Sequence, residues 1–207
     1  AQDVKKLREM TNVGMMDCKK ALQATDGDMD KAVDWLREKG LAKAAKKADR
    51  IAAEGVAYAT VVDGVGVAIE VNSETDFAAK TDAFMDLVKN LAVAVAQQNP
   101  ADVEALKACT YPGSNLTVTE IMQEKVMSIG ENMQIRRFAR FPENTSVAYV
   151  HAGGTHGVLV NLAVEGNIDA TEIGKNVAMQ IAAMNPKYWD KSLVPQADVD
   201  HEMQVQV

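Results

Sequence analysis

One βββα-like pattern occurs twice in this chain, so the polypeptide is expected to fold as two related halves that share a plan. Val56-Ala57-Tyr58 answers Val147-Ala148-Tyr149, and Gly66-Val67 answers Gly157-Val158. Further on, Lys89-Asn90 through Asn99-Pro100 answers Lys175-Asn176 through Asn185-Pro186. The offset is 91 residues early in the repeat and 86 later, so the first copy carries five residues that the second lacks, around Asp76 and Phe77. They lie in the polar segment Ser73-Glu74-Thr75-Asp76-Phe77-Ala78-Ala79-Lys80. Strands and a helix are needed by both copies, whereas a loop present in only one is available for function.

A chain of 207 residues can bury a substantial core, and this one reads as a small unit followed by a larger one. No apolar run approaches the roughly 20 residues that cross a bilayer, and the charged, helix-patterned residues 1–10 predict no secretory segment. Two cysteines, Cys18 and Cys109, lack metal-type spacing and point to reduced thiols in a cytoplasm. The net charge of −7 is unevenly spread: twelve Lys/Arg face ten Asp/Glu in residues 1–55, and ten face nineteen beyond. A mildly basic head on an acidic body argues against general nucleic-acid binding, which needs a concentrated positive face.

Residues 3–40 predict three short helices separated by Asn12-Val13-Gly14 and Asp26-Gly27-Asp28, with Gly40 ending the third. Met29, Ala32, Val33 and Leu36 form an inward stripe on that third helix. On the second, Met15, Cys18 and Leu22 share the inward face, which turns Met16 outward toward Lys19, Lys20 and Gln23. Residues 41–55, with Lys43, Lys46, Lys47 and Arg50 among alanines, predict a solvated basic linker helix. A first core subdomain then spans 56–142 and a second 143–207. Asp63-Gly64 joins strands 56–62 and 65–72 as a hairpin. Phe84, Leu87, Val88, Leu91 and Val95 mark an amphipathic helix ending before Asn99-Pro100. A short helix is expected at 101–109, a turn at Tyr111-Pro112-Gly113, and a helix with Val118, Ile121, Met122 and Ile129 stopped by Gly130. In the strand 133–141, Met133, Ile135, Ala139 and Phe141 are expected inward, with Arg136 and Arg140 opposite. The second copy predicts strands at 147–151 and 158–164 and a helix near 170–184 with Ile173, Val177, Ile181 and Met184 inward. A last helix from Asp198 reaches Val207 without a cap, the pattern of a chain cut within an element.

Enzyme chemistry finds little support. Asp63-Gly64-Val65-Gly66 lies inside a hairpin, not before a helix where amide groups cradle phosphate. His151 and His156 bracket a glycine-rich turn without a third ligand at convincing spacing, so two surface histidines on a hairpin are the simpler account. No nucleophile-elbow motif is present, and no cofactor is expected. What stands out are apolar side chains that local periodicity does not require. Phe77, beside Asp76 in a polar loop, is either an exposed aromatic aimed at another protein's pocket or a staple folded onto the next helix under a Thr75 or Asp76 cap. Met16 is a contact candidate or tolerated surface.

Three segments, taken in order, resemble bacterial translation elongation factor Ts, the guanine-nucleotide exchange factor of elongation factor Tu. They are Val4-Lys5-Lys6-Leu7-Arg8-Glu9-Met10-Thr11 with Gly14-Met15-Met16-Asp17-Cys18-Lys19-Lys20-Ala21-Leu22, then Glu74-Thr75-Asp76-Phe77-Ala78-Ala79-Lys80, then Ile129-Gly130-Glu131-Asn132 with Ile135-Arg136-Arg137. The resemblance implies an α+β protein: a three-helix ubiquitin-associated-like head, a linker helix, and a core of two repeated α+β subdomains. It implies that Met15, Met16 and Lys19 grip the nucleotide domain of factor Tu, that Asp76 and Phe77 enter near its magnesium site, that Ile129 and Gly130 press close to its phosphate-binding region, and that His151 faces another of its domains. Ser73, Ala78 and Asn12-Val13 depart from the family's usual cysteine, valine and Gly-Ala. The expected role is therefore protein-protein: a cytoplasmic exchange factor that is not itself an enzyme, binds neither nucleotide, nucleic acid nor membrane, and leaves a homodimer open. The rival is a ubiquitin-type or other interaction module without exchange activity.

Overall fold

Leu7, Cys18, Ala21, Ala32 and Leu36 are almost wholly removed from solvent, and three successive helices supply them. The computed structural model describes residues 1–11 and 13–206, so Asn12 of the first expected turn and Val207 lie outside the described residues. In chain order the elements are α1 (Gln2–Thr11), α2 (Met15–Ala24), α3 (Met29–Lys47), β1 (Glu54–Val62), β2 (Val65–Ser73), α4 (Asp76–Ala79), α5 (Asp82–Gln98) and α6 (Val103–Ala108). There follow α7 (Val118–Ile129), β3 (Met133–Phe141), β4 (Thr145–His151), β5 (His156–Leu162), α8 (Thr171–Met184), a single 3-10 turn at Lys191–Leu193, and α9 (Gln196–Gln206). The architecture is α+β.

Between α2 and α3 the chain reverses through Asp26 and Gly27, both at positive φ, and the Asp28 carboxylate accepts the Lys31 amide proton at 3.1 Å to cap α3. That amide, and then the Lys31 ammonium, hold the Asp28 carboxyl below its ordinary pKa. Gly40 does not end α3, as its residue type suggested. The helix continues through it to Lys47, and Gly40 is buried where a Cβ would lie 3.3 Å from the Met127 sulfur. Its smallness serves close packing of α3 on α7, and the basic segment expected as a linker is the second half of that same helix, with Ala44 resting on the core.

The larger unit is built around α5. Phe84, Leu87, Val88, Leu91, Ala92 and Val95 are fully buried, against a sheet of order β1-β2-β3, antiparallel throughout, on one side and α7 on another. Each fully buried Leu or Val contributes about 1.5–3 kcal/mol. Asp63 and Gly64, with φ of 50° and 82°, form the β1–β2 turn, and Asn99 in the left-handed region ends α5. The β3 alternation departs from expectation. Glu70 faces Arg137 and Val71 faces Ile135, so Arg136 is an extra residue without a partner in the register. Such a bulge exchanges the two faces beyond it: Met133 and Ile135 are inward, but so is Phe138, while Ala139 and Phe141 turn out. Arg136 and Arg137 both reach Glu70, and Arg140 folds back to donate two hydrogen bonds to the Ala96 carbonyl near the end of α5.

The second copy is a β4–β5 hairpin covered by α8, and it packs against β1 and β2. The inward face of α8 is Gly174 and Ala178, not Ile173, Val177 and Met184, which are exposed. Small residues four apart let the helix backbone settle onto the hairpin; a Cβ at Gly174 would stand 2.5 Å from Val147. Contact between the copies is similarly close. The Ala57 amide donates to the Gly154 carbonyl at 2.8 Å, and a Cβ on Gly157 would sit 2.7 Å from the Ala57 carbonyl oxygen. The repeat partner of Gly157 is Gly66, whose Cβ would fall 2.3 Å from the Ser146 hydroxyl. Corresponding glycines thus allow each copy to approach the other. Substitution of Gly157 by Val forces main chain apart at this contact and should cost about 1–3 kcal/mol, lowering the thermal midpoint followed by circular dichroism; an unchanged midpoint would mean that the two hairpins separate freely here.

Candidate partner-binding site

The polar segment after β2 is held by hydrogen bonds that run from its buried start to its exposed tip. Ser73 is fully buried, and its hydroxyl donates to the Thr75 carbonyl at 2.9 Å. Thr75 is extended, and its hydroxyl oxygen accepts the Ala78 amide proton at 3.2 Å, so the chain winds at once into the single turn α4. Ala78 and Ala79 lie underneath, buried. Phe77 is consequently turned outward and is 80% exposed. Of the two sequence readings of Phe77, the structure has the exposed aromatic, while Thr75 does cap the turn on which it stands. In the second copy the corresponding connection, 163–170, is irregular backbone.

Beside Phe77, the Asp76 carboxylate accepts a proton from the Lys80 ammonium at 2.6 Å. This hydrogen bond holds its pKa below the usual value, so Asp76 is ionised at neutral pH but already paired. The i, i+4 spacing made that partnership readable from the sequence.

The Ile129-Gly130 segment meets the same turn. α7 ends where Gly130 takes a φ of 91° and its amide donates to the Val126 carbonyl at 3.0 Å. Ile129 is half-buried and packs on the core, while Gly130 is exposed and its carbonyl accepts from Lys47 of α3. The next residue, Glu131, accepts both the Thr75 amide proton (3.0 Å) and the Thr75 hydroxyl proton (2.6 Å). Conversely, the Glu74 carboxylate accepts the Asn132 amide proton at 2.6 Å and pairs with Arg50 at 3.5 Å. The Asn132 amide is the leading cause of the lowered Glu74 pKa, with Arg50 adding to it. Asn132 itself is buried, and its side-chain amide donates to the Ala48 and Arg50 carbonyls just beyond α3. Glu74, Glu131 and Asn132 stand in the motifs quoted above, but nothing in their spacing showed that they bond to one another.

The remaining candidates sit on other elements. Met15 is 55% and Met16 63% exposed at the start of α2, with Lys19 exposed one turn on. Met15 was expected inward with Cys18 and Leu22. Val13, just before the helix, fills that part of the head core instead, and the buried stripe of α2 begins only at Cys18. His151 is exposed at the end of β4, where its Nδ1 shares a 2.9 Å hydrogen bond with the Tyr149 hydroxyl and its ring stands edge-on to His156 at 6.1 Å. The turn that carries Asp76 and Phe77 and the helix end that carries Ile129 and Gly130 are therefore joined through their neighbours, Thr75 to Glu131 and Glu74 to Asn132, while the methionines belong to the head and His151 to the second hairpin.

A cleft of about 580 Å³ between the head and α7 is lined by Met10, Leu36, Gly40, Leu41, Leu116 and Met127, none of them a candidate. Among the described residues no three His, Cys, Asp or Glu are grouped to hold a metal, and no helix is long and apolar enough to cross a membrane. A family model described as elongation factor TS matches residues 74–207. The match opens at Glu74 and takes in Asp76, Phe77, Ile129, Gly130 and His151, together with the carboxylates that tie their two turns to each other. With most of its length matched in this way, and an exposed aromatic turn where the first repeat carries its extra residues, the chain belongs to the elongation factor Ts family.

Proposed function

We propose that this chain is a cytoplasmic guanine-nucleotide exchange factor that binds elongation factor Tu and speeds GDP release by disturbing its magnesium and phosphate site. The observation that carries this reading is Phe77: a large apolar side chain almost wholly in solvent, on a turn whose backbone is capped and whose alanines are buried. With the backbone beneath it already ordered, only the rotation of the side chain itself remains to be fixed when the ring enters a pocket. Its family and the repeat both support a task that one copy performs and the other does not.

Exchange by this route needs no covalent step. A partner that binds the empty GTPase more tightly than the filled one must weaken nucleotide binding by the same factor, because linkage is reciprocal. Phe77 acts as a wedge behind the magnesium site. Asp76 arrives as a carboxylate and competes for the ordered oxygen ligands that magnesium requires, with Lys80 travelling beside it. Gly130, free of a side chain at the surface, lets the end of α7 come close to the phosphate-binding backbone. The three-helix head, of ubiquitin-associated type, holds the complex through Met15, Met16 and Lys19, and His151 rests on a second domain of the GTPase.

This division of labour separates rate from affinity. Phe77→Ala should slow stopped-flow release of fluorescent GDP from factor Tu about tenfold or more at saturating exchange factor, while affinity for nucleotide-free factor Tu falls much less. Release as fast as with the parent chain would remove the wedge. Met16→Asp places a charge in the proposed head contact and should weaken binding to nucleotide-free factor Tu by at least about 1 kcal/mol in calorimetry, with the saturated release rate little changed. Unaltered affinity would make Met16 idle surface.

A further inference from the structure

Two carboxylates in this molecule are exchanged between the same two turns. Glu74 takes the amide proton of Asn132 at 2.6 Å, and Glu131 takes the amide proton of Thr75 at 3.0 Å and its hydroxyl proton at 2.6 Å. The partners are 56 and 58 positions apart in the chain, so neither contact is a local turn feature. We propose that Glu131 is the positioning residue of the Phe77 turn: its carboxylate fixes the start of α4 and thereby aims a ring that it does not itself touch. The proposal rests on the wedge reading above and deepens it.

The bonding of Thr75 leaves little slack. Its hydroxyl proton goes to Glu131, its hydroxyl oxygen accepts from Ala78, its amide proton goes to Glu131, and its carbonyl accepts from both Ser73 and Ala79. With every polar group of Thr75 engaged, the direction in which the next two residues leave is set. Ionised acceptors make the shorter and stronger hydrogen bonds, and Glu131 contributes two of them from outside the turn. A single turn of four residues cannot hold itself, because helix nucleation is unfavourable. Without Glu131, α4 keeps its Thr75 cap but loses the anchor of the cap. The same crossing connects the turn to the segment just beyond α3: Asn132, whose amide proton Glu74 accepts, donates to the carbonyls of Ala48 and Arg50, and Arg50 pairs with Glu74.

The test uses the whole chain with factor Tu carrying fluorescent GDP, and compares the parent with Glu131→Ala, Glu131→Gln and Phe77→Ala. Circular dichroism identifies the variants that keep the fold. In the free protein, Glu131→Ala should speed amide hydrogen exchange at Ala78, Ala79 and Lys80 by about tenfold or more, since protection there reports local opening. In stopped flow, its saturated release rate should fall by about tenfold while its half-saturating concentration stays within about a factor of three. Glu131→Gln retains a neutral acceptor for one of the two bonds and should fall between Glu131→Ala and the parent on both readouts; it carries the test if the alanine variant does not fold. A parental saturated rate in the Glu131 variants with Phe77→Ala slowed overturns the positioning role and leaves the wedge standing. A parental rate in all of them overturns both. Exchange at α4 that is no faster in Glu131→Ala also overturns the role.

Discussion

Burial of the broad apolar face of α5 is the constraint on which the larger unit depends. Its apolar residues are not confined to one stripe: Leu87, Val88, Leu91, Ala92, Ala94 and Val95 are all removed from water, which requires neighbours on more than one side. The three-stranded sheet supplies one and α7 another. The two turns that carry Phe77 and Gly130 are fixed by that arrangement. Thr81 caps α5 immediately after α4, so the Phe77 turn hangs from the buried helix, and Gly130 ends the helix that covers it. At the opposite end Arg140 reaches the Ala96 carbonyl, joining the last strand of the sheet to the helix it supports. The two exposed turns are therefore outgrowths of a core in which little can move independently.

How far the sequence could be read depended on the kind of physics involved. Turns with special backbone needs were plain: Asp26-Gly27, Asp63-Gly64, Asn99 and Gly130 all adopt positive φ where their residue types suggested it. The stripe of α5 was equally plain because large apolar side chains recur at helical spacing. Three failures share a different cause, close approach or local irregularity, which residue type does not reveal. Gly40 and Gly174 serve helix packing where a neighbour comes very near, so one failed as a stop signal and the other hid the true face of α8. The extra residue at Arg136 inverted the outer half of β3 without any turn residue to announce it. The sequence allows two places for Phe77 and names Thr75 as a cap, but the choice between them is made by burial of Ala78 and Ala79, which only the packing makes visible.

The candidate site also shows how a duplicated plan becomes asymmetric. Both copies supply a hairpin and a helix, and corresponding glycines, Gly66 and Gly157, let them meet. The first copy alone inserts a capped turn after its second strand, and the carboxylates that steady this turn come from its own segment and from the end of α7. Asp76 is paired within the turn to Lys80, so the exposed tip is a ring flanked by a nearly balanced pair of charges. Shape, more than net charge, distinguishes that corner of the surface.

The uninterrupted run of α3 through Gly40 has a further consequence. Its 19 residues make a rod about 28 Å long, the head at one end and Lys47 beside the Gly130 carbonyl at the other. Because each residue of an α-helix adds about 1.5 Å of rise and about 100° of rotation, the compass bearing of Met16 relative to Phe77 is set by a residue count. Loss or gain of one residue between Leu36 and Lys47 would swing the head by more than a quarter circle while leaving every side chain within it intact. The phase of one screw thus registers two surfaces that never touch.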